Sequence, residues 1–331
     1  QLAEQLRQIS LMAESDLGMA RSHLQLARSD NERNQNAAQK LGDAVIPLLT
    51  IQPSQDSGVI RSIIRRYRFR EKALQIGLRA DRSHYEKTLD LIALLKQRFR
   101  DRVRLDQLLL IEGTAHLWSA EDQESQAIRG QWLTNDRVRK QLQSYDRAAD
   151  IFSDAIAANP RGQFAAIAQY RLGLTRYRQG AFASQVAQRY RQEGATLEYE
   201  TYFQESRKFT EWSIQPLEQA TQLARAQPEL KSQIRLDLAR VHKQLGDYIQ
   251  SAAVLEQLAN DPDTSPVMRL RASRQWALSL KEQDLRERAL EKLLPYIRQD
   301  LRSAIEAGRI LEELSEPRKA YATYRAGLAE I

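Results

Sequence analysis

The chain has no cysteine, which rules out disulfides, thiolate zinc sites and cysteine nucleophiles. The absence also suits an oxidising compartment such as a bacterial periplasm. Glycine and proline are scarce, at 13 and 9 of 331 residues, and no proline stands between Pro53 and Pro160. Sandwiches and barrels need frequent turn residues, so that gap argues for long helices. Period-two alternation is not sustained anywhere. Runs of about 18 apolar residues, the length needed to span a bilayer, are missing. The chain opens on Gln1 rather than methionine, which leaves open a leader or lipid-bearing end removed before it.

Charge is plentiful, at 28% of residues, but unevenly placed. The net +7 resides in one segment. Residues 58–104 carry 14 basic and 5 acidic groups, residues 1–57 carry 5 and 7, and residues 105–331 are balanced at 31 each.

Apolar positions recur three or four apart through Leu2, Leu6, Ile9, Ala13, Leu17, Ala20, Leu24 and Ala27, the spacing of one helical face. They predict an N-terminal helix or coiled coil over residues 1–50, with residues 1–46 able to self-associate. Pro47 stops the pattern, and "IQPSQDSG" at 51–58 is the clearest linker. A basic region follows over 58–128, read as degenerate helical hairpins. Within it Leu89, Ile92, Leu95 and Phe99 mark one amphipathic helix, and Leu105–Ile111 begin another.

The most informative stretch is "YDRAADIFSDAIAANP" at 145–160. On a helix, Tyr145, Ala148, Phe152 and Ala155 share one face. Alanine lets a neighbouring helix come near, the aromatics fill the space beside it, and Pro160 ends the unit. The stretch resembles the second helix of a tetratricopeptide (TPR) repeat, a helix–turn–helix of about 34 residues. In the same frame Trp132 falls on the signature tryptophan, while Asn135-Asp136 stand where Leu-Gly belongs. Further matches are Leu172-Gly173, Gly180 and Phe182; Leu238, Ala239, Gly246, Tyr248 and Leu255; Ala277, Ala289 and Leu293; and Gly308, Ala320 and Tyr324. Starts of second helices are thus expected at 145, 182, 248, 286 and 317, with a blurred unit near Ala220. The resemblance implies an all-α fold, an α-solenoid of TPR-like hairpins over residues 129–331.

Ligands of that family lie along the inner side of the first helices. Carried over residue by residue, the resemblance implies a groove lined by Tyr170, Tyr177 and Arg178, then Arg240 and Lys243, then Arg271, Arg274 and Lys281. Such a groove suits an extended peptide with acidic groups. The asparagine of the carboxylate-clamp subtype is missing from these helices, which argues against chaperone tails.

A second candidate is the basic segment. Arg61, Arg65 and Arg68 form one helical stripe with Arg66 and Arg70 beside it, and Arg98 and Arg102 belong to a second run, "KQRFRDRVR". It reads either as a solvated face or as a footprint for nucleic acid, acidic polysaccharide or an anionic membrane surface. No nucleic-acid module accompanies it. The aromatic run from Tyr190 to Trp212 reads as one helix with a core face. Glu112 and His116 lie four apart, but two ligands do not make a metal site. Phosphate loops, serine elbows, dinucleotide fingerprints and metalloprotease motifs are all missing.

The expectation is therefore a non-enzymatic scaffold without cofactors, binding other proteins through the groove and the N-terminal helix. The plan is similar to bacterial envelope proteins that join a coiled coil to such repeats. That similarity implies a periplasmic or outer-membrane-associated role in assembling or anchoring an envelope complex, with a cytoplasmic adaptor as the alternative.

Overall fold

A computed structural model of the chain describes residues 84–99, 105–129 and 134–328. The expected coiled coil, Trp132, Arg61, Arg65, Arg66, Arg68, Arg70 and Arg102 lie outside the described residues. Arg98 falls on a helix, but its side chain is likewise outside them.

Among the described residues, every regular element is helical. In chain order they are α1 (His84–Phe99), α2 (Leu105–Arg129), α3 (Asn135–Ala158), α4 (Ala165–Gln192), α5 (Thr196–Leu223), α6 (Pro228–Gln244), α7 (Tyr248–Asn260), α8 (Pro266–Lys281), α9 (Arg286–Leu293) with a 3-10 turn at Leu294–Tyr296, α10 (Leu301–Glu313) and α11 (Pro317–Leu328). No helix among the described residues is long and apolar enough to cross a membrane. The described residues fall into two compact units, divided between Ala168 and Gln169.

In the first unit α3 packs along α2. Tyr145, Ala148, Ala149, Phe152 and Ala155 are all buried, as their spacing requires. Phe152 lies across Gly113 of α2, where a Cβ would stand 2.8 Å from its ring. Gln141 Nε2 donates to the Ala120 carbonyl at 2.6 Å, and the Tyr145 hydroxyl donates to Glu124. The chain from Asn135 to Ala158 is one helix, not the two short helices of a repeat. Thr134 caps it by accepting from Arg137 N–H at 3.4 Å, and its partner helix is α2.

The second unit stacks four hairpins, α4/α5, α6/α7, α8/α9 and α10/α11. Second helices start at 248, 286 and 317, where the repeat frame put them. The start expected at 182 is overturned. Gly180 and Phe182 lie inside the continuous helix α4, and the turn comes at Gly194, with α5 starting at 196. The uniform 190–212 helix is likewise corrected. Two helices flank that turn; Tyr202 and Phe209 enter the core, while Phe203 and Trp212 are 43% and 48% exposed.

All four hairpin turns share one device. A residue with left-handed backbone sits two positions before each second helix: Gly194 (φ 76°), Gly246 (79°), Asp284 (64°) and Ser315 (62°). The next N–H reaches back five residues, as in Asp247 N to His242 O at 2.9 Å and Glu316 N to Leu311 O at 2.8 Å. The left-handed residue's own N–H bonds three back, as in Gly246 N to Lys243 O at 3.0 Å. This paired closure satisfies the orphan carbonyls of the helix end. Glycine adopts the conformation freely, whereas a Cβ is crowded there. The second hairpin's Asp247 also caps α7, accepting from Gln250 N–H at 3.1 Å.

Substitution at these turns therefore has opposite signs. Gly246→Ala, whose Cβ would meet nothing within 4 Å, is expected to lower stability by about 1 kcal/mol through backbone strain alone. Ser315→Gly is expected to raise it by roughly 0.5–1 kcal/mol. Urea midpoints of both variants against the parent measure the two signs.

Candidate functional site

The first helices α4, α6 and α8 carry all eight groove residues anticipated from the sequence, and the structure divides them by what they touch. At the centre stands Asp237 of α6, buried between Leu236 and Leu238. A carboxylate there must be satisfied by donors, and it has three. The Tyr170 hydroxyl of α4 donates at 2.8 Å, Gln233 Nε2 at 2.9 Å and an Arg240 Nη at 2.7 Å. Burial first, then the neighbouring Asp237 charge and its hydrogen bond, push the Tyr170 phenol well above its ordinary range. Tyr177, one face-turn along α4, is also raised by burial, with Arg240 and Arg178 opposing. Arg240 remains 46% exposed, so its guanidinium is held at one Nη while the side chain still reaches solvent.

Farther along, Arg274 is only 16% exposed and donates to Asp300 at 2.9 Å. Asp300 caps α10, accepting also from the Ser303 N–H at 3.0 Å and hydroxyl at 2.7 Å. Burial raises the Asp300 carboxyl, but the Ser303 and Arg274 bonds together outweigh it and hold it below its usual value. Lys281 pairs with Glu313 at 2.5 Å, and Arg286 shares the same carboxylate at 3.1 Å. Tyr170, Arg274 and Lys281 thus join one hairpin to the next. Arg178 and Arg271 are exposed and Lys243 is half-buried. Lys243 and Arg271 make no ion pair among the described residues. Of the eight residues, Arg178, Arg240, Lys243 and Arg271 therefore leave charge exposed to solvent in whole or in part.

The acidic partners Asp237, Asp300 and Glu313 were not anticipated. Asp300 had a local signal, an Asp three residues before Ser303 at a helix start. Asp237 had only its place between two leucines.

The two histidines with shifted acidity are structural. Glu112 pairs with Lys96. His116 is lowered to about 4 by burial first, then by the charges of Arg147 and Lys96. His242 is lowered by burial, against the pull of Asp247 and Glu218.

Two outcomes follow. Asp237→Ala strands the Tyr170 hydroxyl and should cost about 2–3 kcal/mol, whereas Arg240→Ala leaves the buried carboxylate two of its three donors and should cost less, about 1–2 kcal/mol; urea titration separates them. His116 binds its proton in the unfolded chain near its ordinary value but in the folded chain only near 4. Stability is therefore full above about pH 6.5 and declines as pH falls toward 4. His116→Gln should flatten that part of the parent's pH–stability curve, measured as the difference between the two curves.

No protein-family model matches the sequence, and no curated protein matches it. Similar solved structures include a Podosopora anserina kinesin light chain with nearly identical TPR-like repeats. It has 15% identity and a TM-score of 0.39, covering 65% of this chain and 96% of that one. A point-substituted form of that protein gives the same identity and score. Another is the Rap conjugation gene regulator of the plasmid pLS20 in complex with the Phr* peptide, with 10% identity and a TM-score of 0.41, covering 96% of this chain and 74% of that one.

Proposed function

We propose that the chain is a non-enzymatic interaction scaffold whose first-helix face in the second unit binds an extended, acidic segment of a protein partner. The observation that carries this reading is Arg240, whose guanidinium is held through one Nη by buried Asp237 beside Tyr170 and Tyr177 while the side chain stays 46% exposed. A pre-positioned guanidinium loses less freedom on meeting a carboxylate than a loose one. Lys243 and Arg271, without acidic partners of their own among the described residues, extend the positive face along α6 and α8. The tyrosines supply apolar area at small entropic cost. The partner belongs, in this reading, to a bacterial envelope assembly that the scaffold helps build or anchor. That placement rests on the cysteine-free composition and on the resemblance of "NPRGQFAAIAQYRLGLTRYRQGAF" to envelope repeat arrays.

Crosslinking mass spectrometry in native extract tests it. Protein crosslinks are expected at Lys243 and Lys281. Those at Lys281, an amine the variant keeps, should fall by about tenfold in the triple variant Arg240→Gln, Lys243→Gln, Arg271→Gln, each lost charge-assisted contact weakening the complex. A triple variant that captures as well as the parent sinks the groove reading. Copurification of nucleic acid or lipid without protein would point instead to residues 58–104.

A further inference from the structure

Away from that face, the second unit has a cleft of about 490 Å³ between the end of α7, the first turns of α8 and the end of α9 with its 3-10 turn. The size falls within the range of small-molecule sites, roughly 300–1,000 Å³. Pro295 supplies exposed apolar surface beside Trp276, which is itself only 6% exposed, and Ser273 and Tyr296 contribute hydroxyls 3.3 Å apart.

The charges around it do not balance. Arg269 lines the cleft, yet its only bonds among the described residues are long ones from one Nη to the carbonyls of Asp261 at 3.5 Å and Thr264 at 3.3 Å. Its Nε is buried and has no partner there. The carboxylate of the adjoining loop, Asp261, is already taken by Lys231 at 3.0 Å and Arg235 at 2.8 Å. Lys292 also lacks an ion pair among the described residues and lies 4.4 Å from the Trp276 ring centre. Glu291 stands exposed on the rim. A half-buried guanidinium without an acid is unfavourable, and an incoming anion relieves it. A cationic ligand is disfavoured, since Lys292 already occupies the aromatic face that would attract it.

We propose that this cleft binds a small carboxylate or phosphate ester on a flat apolar body. The anion sits between Arg269 and Lys292, and the body lies against Pro295 and Tyr296, close enough to Trp276 to be reported by it. The site is independent of the first-helix groove, and its test is independent of any protein partner.

The full chain, with Trp118, Trp132 and Trp212 replaced by Phe so that Trp276 alone reports, is titrated with phenylacetate, phenyl phosphate and neutral phenylacetamide. Saturable change is expected with one or both anions, and about tenfold weaker binding with the amide. The stronger anion identifies the head group. Arg269→Gln should remove the preference for anions, Arg269→Lys should keep part of it, and Glu291→Gln should tighten anion binding. Equal binding of acid and amide, or no saturation by either anion at tens of millimolar, overturns the proposal. So does an Arg269→Gln chain that melts earlier but binds unchanged, because Arg269 would then serve only to hold the 261–264 turn. Should Arg269→Gln fail to fold, Glu291→Gln decides, since it leaves that turn intact; unchanged affinity in it counts against the proposal.

Discussion

Paired helices in this chain lie as near to each other as the smallest side chains permit, and the remaining features depend on that closeness. Gly308 of α10 faces Tyr324 of α11 so tightly that a Cβ would stand 2.1 Å from the ring. Gly180 of α4 lies under α5, where a Cβ would meet Thr210 Oγ1 at 2.4 Å and the Ser206 carbonyl at 2.9 Å. Contact at that range brings backbone polar groups within reach of side chains. Ser206 Oγ donates to the Gly180 carbonyl at 2.8 Å, and Gln244 Nε2 then bonds Thr210 Oγ1 at 3.1 Å. A small residue on one helix thus admits a hydroxyl from the second and an amide from the third, and dispersion over the whole seam accumulates with it.

Much of this architecture is legible because its rules are local. Tyr145, Ala148, Phe152 and Ala155 declare a buried face by spacing alone, and three of the hairpin starts follow from matching small and aromatic residues. The misplaced turn at 182 shows where such reading ends. In the repeat frame Gly180 reads as a turn glycine, but its role is close packing against residues of α5, 26 or more positions away. The true turn, Gly194, sits in "QEGAT" with Arg189 and Arg191 in the turn before it, a helix-end signal that the repeat template overrides. In the same way Asn135–Ala158 has no breaker, so it runs as one helix where the template would divide it.

The candidate site is legible only in half. Cationic positions on the first helices can be read from register. Their acids cannot, because Tyr170 meets Asp237 across 67 positions and Arg274 meets Asp300 across 26. Such pairings follow from how hairpins stack. Positive residues equivalent by register are therefore unequal in role. Arg274, 16% exposed, is half of a capping cluster, while Arg240, on the same kind of position, pairs with a carboxylate of its own helix and stays 46% exposed.

The four turn closures are alike in geometry and unlike in chemistry. The first two carry glycine at the left-handed position, the last two an aspartate and a serine. Because each hairpin of a repeat array leans chiefly on its neighbours, this difference grades the unit from end to end. Hairpins α8/α9 and α10/α11 hold their bends against backbone preference, so brief fraying is concentrated toward the carboxyl side. Amide protons there are expected to exchange with solvent sooner than those of α4 to α7.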